Sequence, residues 1–469
     1  MRIPRQSPRA VPLKAMAAIG IAALLAAGCS RAGGASSSAT PAPASSSGAA
    51  AGASFGTLSD VCHGGTPTGS TDQGVTSSSI EVGVLSDYGY TKNIDLLNAA
   101  KVFTSWCNAA GGIDGRKLVA DIHDSDIMAV VPAVTSACAK DFVLAGGSAA
   151  LDGLGTSQRL KCLLPDFDAQ PTMPQNQGSG LEIVPYIGNF SYAAYAGYDK
   201  WLMQKYPGSA GHVGVLWGQS AVTQYDSQAV VDTVAADGGQ VTYNESFPPI
   251  GVTNWTPYAE AVKAKGVKGL VFYDTPQELV AFEQALDDLG YHLDWIDANN
   301  NAYTASYISL AGKTLTEQNN YADLPGMWPL EKSSANPAEQ QLTALFQQYA
   351  PGQPVSLQVL QAFTMWLEFA VSAESCGADL TRACVYGAAV KQTAWTGGGL
   401  TAPVNESDLL GPPGCFDIEQ ATTSGWEPAV GFTPNTDGAY YCGTPAVKLA
   451  GFPAPTQLSD VGETLSDLK

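Results

Sequence analysis

The stretch GVTSSSIEVGVLSDYGYTKNIDLLNAAKVFTSWCNAAGGIDGRKLV, residues 74–119, restricts the fold more than any other part of the chain. Residues 80–85 are a short apolar run rich in β-branched side chains, which predicts a buried strand. Ser86, Asp87 and Gly89 then supply turn chemistry. From about Asn93 the apolar spacing changes. Leu96, Ala99, Ala100, Phe103, Trp106, Cys107 and Ala110 fall on one face of a helix. Gly111-Gly112 ends that helix as a glycine C-cap does, and residues 117–122 return to a strand pattern. A strand, a crossover helix and a second strand are the seed of a parallel sheet. In such sheets ligands sit beyond the carboxyl ends of the strands, which singles out the loop Ser86-Asp87-Tyr88.

The alternation continues. Residues 129–140 read as a helix, 142–145 as a strand, and Gly146 to Ala149 as the loop after it. Leu163-Leu164 leads into a further loop, Pro165-Asp166-Phe167-Asp168. After a crossover at 182–190 a new series begins, with strands at 212–217, 240–247, 269–273 and 295–298. Helices at 220–236, 255–265 and 276–289 separate them, so a second parallel sheet is predicted. A second crossover at 325–329 and helices at 337–349 and 356–375 return to the first body. The length exceeds one ordinary core. The expected fold class is α/β, with two doubly wound parallel-sheet lobes joined by a hinge.

Two motifs carry a resemblance. Gly74-Val75-Thr76 precedes Ile80-Glu81-Val82-Gly83, and Asn108 to Lys117 reads NAAGGIDGRK. Together they resemble the opening of the type I periplasmic-binding fold, in the leucine/isoleucine/valine-binding family of ABC-transporter receptors. The resemblance runs from about residue 74 to 445, with a late echo in Gly397 to Val404 (GGGLTAPV). It implies a solute-binding protein, not an enzyme, whose lobes close on a small ligand. It also implies that loops after the first-lobe strands present small and hydroxyl side chains, a role that Ser148 fits. Asp166, Phe167 and Asp168 depart from the Ala/Thr pattern of branched-chain amino-acid binders.

The amino terminus predicts export. Arg2, Arg5, Arg9 and Lys14 precede an uncharged run, residues 15–27, too short to span a bilayer and suited to a signal-peptide core. Leu25-Ala26-Ala27-Gly28-Cys29 resembles a bacterial lipobox, with cleavage before Cys29 and lipidation of that cysteine. An ordinary secretory signal with an incidental cysteine is the alternative. The following segment is almost wholly Ser, Ala, Gly, Pro and Thr, a flexible tether reaching roughly 25–30 Å. The expected layout is signal peptide 1–28, tether 29–58, first lobe 59–187 plus 330–400, and second lobe 188–329 plus 401–460. The formal net charge of −20 excludes a nucleic-acid partner and an electrostatic footing on anionic lipid. The lipid is then the sole membrane anchor.

Beyond Cys29 eight cysteines remain: Cys62, Cys107, Cys138, Cys162, Cys376, Cys384, Cys415 and Cys442. An even count in an exported chain predicts disulfides, and the layout pairs neighbours: 62 with 107, 138 with 162, 376 with 384, and 415 with 442. Sequence alone leaves other connectivities open.

The expected ligand site draws on both lobes. Asp87, Tyr88, Ser148, Ala149, Asp166, Phe167 and Asp168 come from the first, and Trp217, Tyr225, Tyr273, Asp274 and Asn299 from the second. The rings would cover apolar parts of a solute, Ser148 and nearby N–H groups would take a carboxylate, and an aspartate would take an ammonium. Each aspartate is equally suited to capping a helix or turn, and each ring to core packing. No Lys or Arg lies in these loops, which points to a neutral, zwitterionic or cationic ligand. Catalytic motifs fail on inspection. Gly312-Lys313-Thr314 lacks the first glycine of a phosphate loop, and Gly218-Gln219-Ser220-Ala221-Val222 lacks the last glycine of a nucleophile elbow. Asp121, His123, Asp124 and Asp126 gather near a strand end without calcium-loop spacing, so neither a metal nor a cofactor is called for. The expected partners are a small polar solute and an ABC permease. A sensor of the same fold, or an exported hydrolase, are the alternatives.

Overall fold

The structure, a computed structural model, describes residues 53–469 apart from 437, 444 and 445. The predicted signal peptide and Cys29 lie outside the described residues. The described chain opens on an antiparallel hairpin of β1 (Ala53–Phe55) and β2 (Leu58–Cys62). This corrects the tether boundary of residue 58. Phe55 is fully buried, with its ring 5.1 Å from Phe363 and 6.0 Å from Trp106, and Thr57 N donates to Gly398 O at 3.0 Å. One aromatic anchor is what the composition of the preceding segment concealed.

The first lobe is built on five parallel strands in the order β4-β3-β5-β6-β7. They are β3 (Ser79–Ser86), β4 (Lys117–Asp124), β5 (Val143–Ala145), β6 (Asp166–Phe167) and β7 (Glu182–Ile183). Ile80, Val82 and Val84 make β3 a buried strand. The helix Asp95–Ala110 buries Ala99, Phe103 and Trp106. Phe103 stacks on Trp366 at 5.4 Å, from the helix Leu357–Cys376. Helix Asp95–Ala110 stops because Gly111 and Gly112 take φ of 123° and 88°, and a Cβ on Gly112 would stand 2.0 Å from Arg116 O. Asn108 closes the joint by bonding both N and O of Leu118 (2.8 and 2.9 Å). Arg116, fully buried, donates to Thr76 O (3.0 Å) and Ala378 O (3.2 Å). The NAAGGIDGRK motif is therefore a structural joint.

The second sheet has eight strands. Five are parallel, in the order β9-β8-β10-β11-β12: β8 (Val213–Gly218), β9 (Val241–Phe247), β10 (Gly269–Tyr273), β11 (Trp295–Asp297) and β12 (Asn320–Leu324). The expected second parallel sheet is extended by three antiparallel strands. β13 (Cys415–Thr422) pairs with β12, while β14 (Gly425–Pro428) and β15 (Tyr441–Cys442) pair with β13. β13 escaped sequence reading because Asp417 and Glu419 are fully buried, which disguises the strand as polar.

The segments running between lobes meet at Thr401. Its buried hydroxyl lies 3.3 Å from Pro185 O and 3.0 Å from Gly326 O, and Ala402 N donates to Gly326 O at 2.7 Å. The GGGLTAPV echo thus marks this joint. The carboxyl terminus departs from the expected layout. Gly180 N donates to Thr456 O (3.0 Å), Leu458 and Leu468 pack with Leu160 and Leu181, and Ala383 N donates to Lys469 O (2.7 Å). Residues from about 456 onward therefore lie on the first lobe, not the second.

Four disulfides join Cys62–Cys107, Cys138–Cys162, Cys376–Cys384 and Cys415–Cys442, with Cα separations of 5.3, 5.8, 6.0 and 4.1 Å. These are the neighbour pairs expected from the layout. No helix among the described residues is long and apolar enough to cross a membrane.

Candidate functional site

A cavity of about 170 Å³ lies between the lobes. The first lobe contributes the loop after β6, including Gln170, Thr172 and Gln177. The crossing segment contributes Tyr186 and Tyr195. The second lobe contributes Asp226 from the helix Ala221–Ala236 and the strand-end residues Tyr273, Asp297, Asn299 and Asp323. Parallel strands place these ends together because each is followed by a crossover on the same edge, where α/β sheets bind ligands.

The lining is acidic. It contains Asp199, Asp226, Asp297 and Asp323, and among the described residues lining it there is no Lys, Arg or His. Asp297 Oδ1 accepts from Tyr198 OH (3.1 Å) and Asn299 N (2.9 Å), and burial still raises its carboxyl to about 7. Burial likewise pushes Asp226 to about 7. Asp199 and Asp323 are each 3% exposed, and Asp199 Oδ2 and Asp323 Oδ1 have no hydrogen-bond partner. Burial, then the field of Asp297, raises both well above the usual carboxylate range.

Of the residues singled out from sequence, Tyr273 and Asn299 line this cavity. Asn299 holds φ 54° with its Nδ2 on Phe272 O (2.9 Å) and its Oδ1 on Asn301 N (2.8 Å), so it shapes the loop that it occupies. The others do not line it. Asp87 ties loops together, accepting from Ser125 Oγ, Ile127 N (2.8 Å) and Ala150 N (2.7 Å). Ser148 Oγ donates to Gln170 O at 2.7 Å, and Ala149 packs with Leu85 and Val130. Asp166 faces Arg159 at 3.6 Å, Phe167 packs on Phe369 at 5.7 Å, and Asp168 accepts from Gln170 N and Asn176 Nδ2 at 2.9 Å each. Tyr88 opens a short, half-exposed helix, Tyr88–Thr91. Trp217 Nε1 donates to Asn244 Oδ1 (2.9 Å), Tyr225 packs against Phe190 (5.9 Å), and Asp274 accepts from Thr275 N (2.6 Å). Sequence reasoning missed Asp199, Asp226, Asp297, Asp323, Tyr186 and Tyr195. Asp323 sits in β12, NYADL, which is buried throughout although Asn320 and Asp323 are polar, so no apolar alternation marks the strand in the sequence.

Away from the cleft, His123 Nε2 lies 2.5 Å from Asp141 Oδ2 and 3.1 Å from Asp121 Oδ2, while Lys140 pairs with Asp121. This polar cluster ties β4 to the end of the helix Val130–Lys140. Asp124 instead accepts from Gly89 N (3.2 Å) and Asp126 N (3.0 Å).

The sequence profile of the periplasmic binding protein family matches residues 79–409. The chain belongs to the periplasmic binding protein family. Members of this family bind solutes outside the cytoplasm and are not enzymes. No curated protein matches this periplasmic binding protein. Solved structures share its fold at low identity. A fatty acid ABC transporter substrate-binding protein from Thermomonospora curvata is 17% identical, with a TM-score of 0.68 over 82% of this chain and 98% of the other. A leucine-binding protein from Thermotoga maritima is 12% identical, with a TM-score of 0.59 over 75% and 98%. A branched-chain amino acid transporter substrate-binding protein from Streptococcus pneumoniae, in complex with isoleucine, is 14% identical, with a TM-score of 0.57 over 78% and 100%.

Proposed function

We propose that this protein captures a small polar solute in the cleft between its lobes and delivers it to an ABC permease, while lipidated Cys29 holds it at the outer face of the cytoplasmic membrane. The observation that carries the reading is the cavity itself, walled by the first lobe's loop at residues 170–177 and the second lobe's strand ends. Polar groups from both sides let a solute bridge the lobes and favour the closed form. The acidic lining favours an amine or amide over a fatty acid, whose carboxylate would meet Asp199, Asp297 and Asp323.

A thermal-shift screen of amino acids, amides, sugars and amines tests the capture. A solute at a hundred times its Kd adds roughly 2.7 kcal/mol of stability. The reading fails if no solute shifts the melt, or if the best one is indifferent to Asp297→Asn. Anchoring is tested separately. Cys29→Ala is expected to move the protein from the membrane fraction to the soluble one, and unchanged membrane partition would remove the lipid from the account.

A further inference from the structure

We propose that the solute is an organic cation with at least two positive charges, of the linear diamine or polyamine class. This rests on the reading of the cleft as the solute site and specifies what it takes.

The first support is charge. Four carboxylates line the cavity and no basic side chain offsets them. The unpartnered oxygens of Asp199 and Asp323 are buried at its wall. A buried carboxylate without a donor is a costly arrangement, and an incoming ammonium supplies both donor and counter-charge. A zwitterion supplies one ammonium but adds a carboxylate of its own.

The second support is that the opposite wall has little to offer a carboxylate. Thr172 N and Met173 N already donate to Asp152, at 2.7 and 2.9 Å. Thr172 Oγ1 donates to Ala149 O and Ala150 O, and Gln177 Nε2 donates to Pro171 O. With Ser148 Oγ on Gln170 O, these donors are engaged within the protein, and the Gln170 side chain offers a carboxylate only a neutral amide.

The third support concerns shape. A single metal ion needs ligand atoms gathered around one point. Among the described residues only Asp121, His123 and Asp141 bring such atoms within 4.8 Å of one another, and they lie outside the cleft. The cleft carboxylates are spread over separate elements: Asp199 on the helix Ala196–Lys205, Asp226 on the helix Ala221–Ala236, Asp297 and Asp323 on β11 and β12. Asp226 adds an acidic position on a helix of its own. Tyr186, Tyr195 and Tyr273 provide faces for methylenes and for cation–π contact. The cavity is comparable to the roughly 150 Å³ that holds a benzene-sized molecule.

The test is calorimetric titration of the purified protein with putrescine, cadaverine and spermidine, against butylamine, leucine and Mg²⁺. At least one diamine or polyamine is expected to bind a hundredfold or more tighter than butylamine or leucine, more weakly as salt rises. Asp323→Asn is expected to lower amine affinity at least tenfold. Asp226→Asn, a near-isosteric change at a half-buried position, is expected to remove most of the preference for diamine over butylamine. If leucine binds more tightly than every diamine and responds to Asp297→Asn, the charge inference is overturned while solute capture stands. Tightest binding of Mg²⁺ overturns it in favour of a metal. If no probe binds, the charge inference falls, and a blank wider screen takes the capture reading with it.

Discussion

Around the cleft the two lobes use the same residue type differently. On the first-lobe side, Asp87 accepts three hydrogen bonds and Asp168 two, so each acid serves as a fastener between loops. On the second-lobe side, Asp199 and Asp323 keep buried oxygens without partners. Unpartnered oxygens occur on the first lobe too, at Asp141 and Glu182, but those of Asp199 and Asp323 belong to residues that line the cavity. A fully bonded carboxylate holds the protein's own shape, whereas an unsatisfied one destabilises the empty site and is relieved by a ligand.

The largest expected effect breaks the ion pairs of the first lobe. Arg159 is 2% exposed and donates to Leu164 O (3.2 Å) and Ser179 Oγ (2.5 Å), beside Asp166 at 3.6 Å. Its charge also lowers the Glu182 carboxyl against the stronger push of burial. Arg159→Ala leaves these acids uncompensated and is expected to cost about 3–5 kcal/mol in urea unfolding. A loss under 1 kcal/mol would mean that this part of the first lobe does not depend on its ion pairs.

The second prediction reads the second lobe through pH. Asp297 is raised from its ordinary value to about 7 when folded, so between pH 4 and 7 the native state holds a proton that the unfolded chain has released. Stability of the ligand-free protein therefore falls as pH rises through this window and levels off above it. The slope is at most about 1.4 kcal/mol per pH unit for this group. Asp297→Asn is expected to flatten the fall between pH 5 and 7 in urea melts. An unchanged slope would place the titrating acid elsewhere.

The smallest effect sharpens the contrast. Ser148→Ala removes one internal hydrogen bond, to Gln170 O, and is expected to cost about 1 kcal/mol of stability with little change in solute affinity. A large loss of affinity at constant stability would return Ser148 to the ligand's own contacts.

The same contrast explains what could be read from the chain beforehand. The β3–helix–β4 unit was legible because Ile80, Val82 and Val84, then Phe103 and Trp106, write their burial as period and spacing. The glycines after Ala110 were legible because that backbone excludes a side chain. β13 and the acidic lining were not, since Asp417, Glu419, Asp199 and Asp323 look like solvent-facing residues until tertiary structure encloses them. Ser148 and Asp87 have the right chemistry for a ligand, but only coordinates reveal that the protein already uses it. Sequence displays which groups are present and hides which remain available.

The described body begins with a hairpin packed on the first lobe and finishes with Lys469 bonded to Ala383 on that same lobe. Between these two points the chain passes into the second lobe and returns, so both marks sit on the first lobe. A reporter fused after Lys469 would ride with the stationary half, and a dye at the second lobe's exposed Ile250 would register its travel against that fixed mark.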